Sequence, residues 1–197
     1  RNDPFVIARE AALRDLQSDQ TDKAEKALLA LQKQRGNDAA TLAGLGRIRM
    51  REGKHGEAVE LFSQALKANN PDLQSELQSL KRTATFWASL ASARKSRETI
   101  SLDDALKATS AALALQPHQA DALNLRAQLL AEQGDKIGAE AAWKEALQFT
   151  PDHEGSLSNY LSWLAQEGRA AEAQALLAEA GDKPELRETL ARVKAGQ

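Results

Sequence analysis

The stretch LAGLGRIRMREGKHGEAVELFSQALKANNP, residues 42–71, decides how this chain folds. Within it Leu42, Leu45, Gly46, Gly53, Ala58, Phe62, Ala65 and Pro71 set small against large residues at helical spacing. Moved forward by 81 residues the pattern returns as Gly134, Ala139, Trp143 and Ala146, with Pro151 closing it. A further 34 residues on it returns as Gly168, Ala173, Leu177 and Ala180, and 34 residues back from Ala58, Phe62 and Ala65 stand Ala24, Leu28 and Leu31. A fixed period of this length predicts an array of helix pairs. The small Gly46, Ala58 and Ala65 belong where helix backbones approach, and Leu45 and Phe62 fill the space between. Gly53 suits the positive φ of a helix end. Asn70 and Pro71 read as an N-cap and a first helical residue. A lone pair cannot bury its apolar stripe, so the pairs must stack on one another.

Outward from that stretch, Asp3-Pro4 starts a helix carrying Phe5, Ile7, Ala8, Ala11, Ala12 and Leu16. After a turn over Ser18–Thr21, Ala24, Ala27, Leu28 and Leu31 carry the return helix. The third pair breaks the period, because Ala58 and its counterpart Ala105 are 47 residues apart. Of the thirteen added residues, eleven fall before Trp87 and two after it. Leu73, Leu77, Leu80, Ala84, Trp87 and Ala91 step by three and four, which predicts one helix of about two dozen residues over 72–97. Its segment Leu73–Ala84 is expected to overhang the array or act as a hinge. Ser101-Leu102-Asp103-Asp104 resembles a capping box. The expected pairs are 4–38, 39–71, 72–118, 119–152 and 153–181, followed by a short helix over 183–195 that starts at Asp182-Lys183-Pro184 and carries Leu186, Leu190 and Val193. The fold class is all-α, a single array over 1–197.

Composition agrees with close-packed helices: aromatics make up 4% of residues, and there is no cysteine for disulfides or thiolate chemistry. No apolar run is long enough to span a membrane. A chain that opens on Arg1 reads as a piece of a longer protein, so a missing leader carries no weight. Charge is uneven, with ten Lys/Arg against six Asp/Glu over 39–100 and six against thirteen over 120–188. That lopsidedness bears on partners rather than on fold.

These residues resemble the tetratricopeptide repeat, whose pattern runs W-x2-L-G-x2-Y, then A, F, A and P. Arg49 stands where the family has Tyr, and Arg126 where it has Leu. The resemblance implies a right-handed superhelical solenoid that mediates protein–protein interaction. The order Asp3-Pro4-Phe5, then Leu45-Gly46 and Ala58, then a lengthened helix holding Phe86-Trp87 is further similar to the array of the cellulose synthase operon protein C family. There a long array precedes an outer-membrane barrel and links the synthase to the exit pore. That likeness implies a periplasmic scaffold in cellulose or exopolysaccharide export, with envelope proteins and the polysaccharide chain or cell wall as partners. The other reading is a peptide-binding module of a different assembly.

No chemistry stands out. His55, His118 and His153 fall in or beside turns without metal-ligand spacing, and read as surface residues. Nothing matches a nucleophile elbow, a Ser/His/Asp set or a phosphate-binding glycine loop. No cofactor, metal or catalytic residue is expected. Arg47, Arg49 and Arg51 alternate and cannot share one helix face, and the aromatics are needed for packing, which disfavours nucleic acid. The resemblance implies that the first helix of each pair lines a groove. Carried over, those positions give Ala43, Arg47, Met50 and Arg51; Ala88, Ser92 and Lys95; Asp121, Asn124 and Gln128; and Ser158, Ser162 and Gln166. The candidate binding residues are Arg47, Met50, Arg51, Lys95, Asn124, Gln128, Ser158 and Ser162, a groove basic at one end and polar at the other.

Overall fold

A computed structural model describes residues 2–98, 101–181 and 183–195. Among them the chain forms eleven helices and no strand. The helices are α1 (Pro4–Gln17), α2 (Thr21–Gln34), α3 (Ala39–Arg51), α4 (His55–Lys67), α5 (Gln74–Glu98), α6 (Leu102–Leu115), α7 (Ala120–Gln133), α8 (Lys136–Phe149), α9 (Glu154–Gln166), α10 (Ala170–Glu179) and α11 (Pro184–Ala195). The chain falls into two compact units, Arg1–Ala88 and Ser89–Gln197, with the boundary inside α5.

In the first unit, α1 starts as its sequence dictates: the Asp3 carboxylate accepts from Phe5 N–H at 2.9 Å, with Pro4 in the first turn. The helix ends where Arg14 and Asp15 carbonyls accept from Ser18 N–H. Phe5, Ala12 and Leu16 bury against Ala24, Leu28, Leu31, Leu45 and Ile48. A second cluster joins Ala39, Leu42, Ala58, Phe62 and Ala65 to Leu77 and Ala84 of α5. Gly46 is the close approach between α3 and α4, since a Cβ there would meet three ring carbons of Phe62 at under 3 Å. Gly44 plays the same part toward Leu13 and Leu28, a contact that the repeat pattern does not mark. Gly53 ends α3 with φ at 76°.

In the second unit Trp143, Tyr160 and Trp163 anchor the core, with ring centroids 5.5–6.2 Å apart, among Leu130, Leu157, Leu161, Leu164 and Leu177. The last helix, α11, lays Leu186 and Leu190 on this cluster and packs on α9. Asp182 and the side chain of Val193, both expected in that helix, lie outside the described residues.

Three expectations of detail need correction. Asn70 and Pro71 do not open α5. The Asn70 side chain accepts from Asp72 N–H at 3.0 Å and its carbonyl from Leu73 N–H, making a separate turn ahead of the helix, which begins at Gln74. Ser101 does not cap α6: its hydroxyl donates to the Asp104 carboxylate at 2.7 Å, so the box is not formed. The stripe along α5 does not run straight either. Leu77 and Ala84 are buried, but beyond them Phe86, Leu90 and Ala93 are the buried residues and Ala91 is exposed. At about 100° per residue, the later set lies roughly half a turn from the first. The helix therefore buries one face in its first half and the opposite face in its second.

Candidate functional site

The first helices of the pairs leave hollows between them, and Arg47, Arg51, Asn124, Gln128 and Ser158 of the candidate residues line these, whereas Met50, Lys95 and Ser162 do not. In the first unit a hollow of about 440 Å³ is lined by Leu13, Leu16 and Gln17 of α1, Ala40, Ala43, Arg47 and Arg51 of α3, Leu73, and Glu76 of α5. Its floor is apolar, with Leu16 and Ala43 almost wholly buried. Its rim carries the guanidiniums, because positions 47 and 51 are one helical turn apart and share a face. Arg47 pairs with Glu76. Arg51 donates to the Leu16 carbonyl at 3.3 Å, a weak bond at the C-terminal end of α1. Arg49 points away, as alternation requires, and its guanidinium meets Glu25, Glu52 and Glu57 instead. Met50 is a packing residue, half-buried against the cluster around Phe62.

In the second unit a hollow of about 390 Å³ is lined by Arg94, Arg97, Glu98, Asp121, Asn124, Leu125 and Gln128. Arg97 pairs with Glu132. Asn124 is not wholly free for a ligand: its side-chain oxygen accepts from the Trp143 indole at 2.9 Å and from Asn159 at 3.1 Å. Ser158 lines a third recess with Glu154, Lys183, Leu186 and Thr189, and Ser162 is half-buried one turn further along α9. Lys95 lies on the exposed side of α5 within this unit.

His118 lies at the surface as expected, while His55 and His153 depart from that reading. His153 caps α9: Nδ1 accepts from Ser156 N–H at 3.1 Å and lies 2.7 Å from the Ser156 hydroxyl, while Nε2 lies 3.0 Å from Asp121. Two donors at Nδ1 assign the ring proton to Nε2, which donates to the carboxylate. Burial pushes the Asp121 carboxyl up, but hydrogen bonds from Gln119 and His153 outweigh it and hold the group below its usual range. Gln119 in turn caps α7, so a chain of side chains joins the N-termini of α7 and α9. A Ser, a His and an Asp are thus in contact, yet Ser156 is 0% exposed and out of reach of a substrate, which makes the set a cap. His55 opens α4, half-buried and stacked on Trp87 at 6.1 Å, with its buried Nδ1 unpartnered among the described residues. His118 is exposed and stacks on Phe149 at 3.8 Å. No group of three His, Cys, Asp or Glu among the described residues is placed to hold a metal ion, and no described helix is long and apolar enough to cross a membrane.

Comparison with known proteins places this geometry. A family model described as tetratricopeptide repeat matches residues 9–73 and 101–154. Cellulose synthase operon protein C of Xanthomonas axonopodis pv. citri is 29% identical over 203 residues, covering 99% of this chain and 13% of its own length. The chain thus spans only a small part of that relative. Among solved structures, pilF of Pseudomonas aeruginosa has a TM-score of 0.59 at 15% identity, covering 99% of this chain and 100% of that one. A tetratricopeptide repeat protein from Parabacteroides merdae has 0.56 at 20%, covering 96% and 72%. MamA from Desulfovibrio magneticus has 0.53 at 17%, covering 95% and 97%. At these identities the likeness is one of fold.

Proposed function

The chain belongs to the tetratricopeptide repeat family, and from that membership we propose that it is a non-catalytic docking scaffold of a periplasmic machine that makes and exports cellulose or a related exopolysaccharide. Its helix pairs hold envelope proteins at fixed spacing, with Arg47 and Arg51 on one unit and Asn124, Gln128, Ser158 and Ser162 on the other as contact positions. The observation that carries the reading is the likeness to cellulose synthase operon protein C along nearly the whole chain. An array of stacked pairs suits such work, since each pair adds a rigid increment of length and a fresh binding face. In a bacterium that exports cellulose through the full-length gene product, excising residues 1–197 in frame should remove most exported polymer while the synthase still forms glucan in membranes. Unchanged export would sink this reading. It would favour a peptide-binding module of another assembly, for which the apolar-floored hollow of the first unit is the supporting observation.

A further inference from the structure

Phe149 is the phenylalanine that packing leaves outside. Phe5, Phe62 and Phe86 are at most 5% exposed, whereas Phe149, in the last turn of α8, is 51% exposed. The repeat does not ask for a ring there: ten residues after Ala24, Ala58, Ala105 and Ala173 stand Gln34, Ala68, Leu115 and Lys183, and the same step from Ala139 gives Phe149. The ring is held in place all the same. His118, from the turn between α6 and α7, stacks on it with centroids 3.8 Å apart and planes 14° from parallel. His118 Nδ1 in turn lies 3.4 Å from the carboxylate of Glu145, one turn back along α8, which steadies the imidazole. With one ring face under His118 and half the residue still open, the opposite face is left to solvent. A lone exposed apolar residue needs no explanation. A ring oriented by a stacked and anchored partner is a different object.

We propose that the His118–Phe149 stack is a platform for a pyranose unit of a neutral β-linked glucan chain. The proposal rests on the export-scaffold reading above and gives the polymer a contact point of its own. That point lies at the end of a second helix and in a turn between pairs, apart from the hollows between first helices. The face of an aromatic ring is the negative side of its quadrupole. A β-linked glucose unit carries only hydrogens at the axial positions of both its faces, so it lies flat on such a ring with its hydroxyls pointing outward. Around the stack those hydroxyls meet polar groups: the Glu145 side chain is 43% exposed, and Gln148 and Thr150 flank the ring in the chain. The carboxylates of Glu145 and Asp152 count against an anionic polymer. Size counts against a protein partner, since a specific interface buries on the order of 1,000 Å² around an apolar centre. One ring among Gln116, Gln148, Thr150 and Asp152 supplies no such centre, and a sugar needs none.

The test uses the chain of residues 1–197 in native gels containing hydroxyethyl cellulose, and cellohexaose titrations read at the His118 ring protons by NMR. The polymer should retard the chain, and cellohexaose should shift the His118 signals with a dissociation constant in roughly the millimolar range, as for a single stacked contact. Phe149→Ala should abolish the retardation and weaken cellohexaose about tenfold or more, while Phe149→Trp should keep or strengthen both. Ile137→Ala, at a site 87% exposed, should change nothing, which separates stacking from general stickiness. Alginate, an anionic polymer, should not shift the His118 signals. No retardation and no shift, equal retardation of Phe149→Ala, or alginate binding as well as cellohexaose overturns the proposal. Self-association that Phe149→Ala abolishes, seen by sedimentation, would overturn it in favour of a contact between copies. Export lost on excising residues 1–197, together with no glucan binding, would sink the platform and leave the scaffold standing, so the two readings fail separately.

Discussion

At the scale of single residues, two glycines of the central stretch have opposite meanings. Gly46 sits under the Phe62 ring, where a Cβ has no room. Gly46→Ala gains the propensity of alanine yet should lose about 1–3 kcal/mol from overpacking, read as a lower urea midpoint. Gly56, two residues into α4, has nothing within 4 Å of the same added atom. Gly56→Ala should stabilise the fold by up to about 1 kcal/mol, read as a higher urea midpoint. His55 gives a pH signature. Burial lowers its pKa from the ordinary 6.5, so the folded state resists a proton that the unfolded chain accepts. Its contribution is therefore present above about pH 6.5 and lost on acidification through the lowered value. His55→Phe, which keeps a ring against Trp87 but cannot titrate, should flatten that decline when melting temperature is followed against pH.

At the scale of elements, the relay between α7 and α9 should behave as one unit. His153→Ala removes a cap and should cost about 0.5–2 kcal/mol. Combined with Asp121→Ala the losses should fall short of additive by about 0.5 kcal/mol or more, because each variant breaks the same His153–Asp121 bond. Purely additive denaturation energies would mean that the bond carries nothing. This relay also shows what the sequence conceals. Helix positions were legible because Ala24, Leu28, Ala58, Phe62, Ala139 and Trp143 repeat a local pattern that burial enforces. The partnership of His153 with Asp121 spans 32 residues and leaves no periodic trace. The engagement of Asn124 by Trp143 is hidden for the same reason, so a polar position taken for groove lining is partly spent on holding the core. Arg47 and Arg51 were legible as one face from their spacing alone. The apolar floor beneath them was not, because α1 supplies Leu13 and Leu16 across a gap of some thirty residues.

At the scale of the whole molecule, packing runs mainly between neighbours in sequence, α1 with α2, α2 with α3, α3 with α4, α6 with α7, α7 with α8 and α9 with α10, while α11 reaches past α10 to α9. Damage should stay local in such an array. Phe62→Ala, opening a cavity at a site 0% exposed, should cost about 3–5 kcal/mol and speed amide exchange in α3 and α4 first. Helices α9 and α10 should keep their protection, and a uniform rise along the chain would contradict a nearest-neighbour stack.

The change of buried face along α5 carries a practical corollary for anyone dissecting this chain. A fragment stopped after residue 98 would keep Leu90 and Ala93, both 0% exposed in the intact chain, without the rest of the Ser89–Gln197 unit to which they belong. A fragment begun at residue 89 would instead split the rod and strand Phe86 on the other piece. Either cut parts residues that one continuous helix carries, so α5 is best inherited whole.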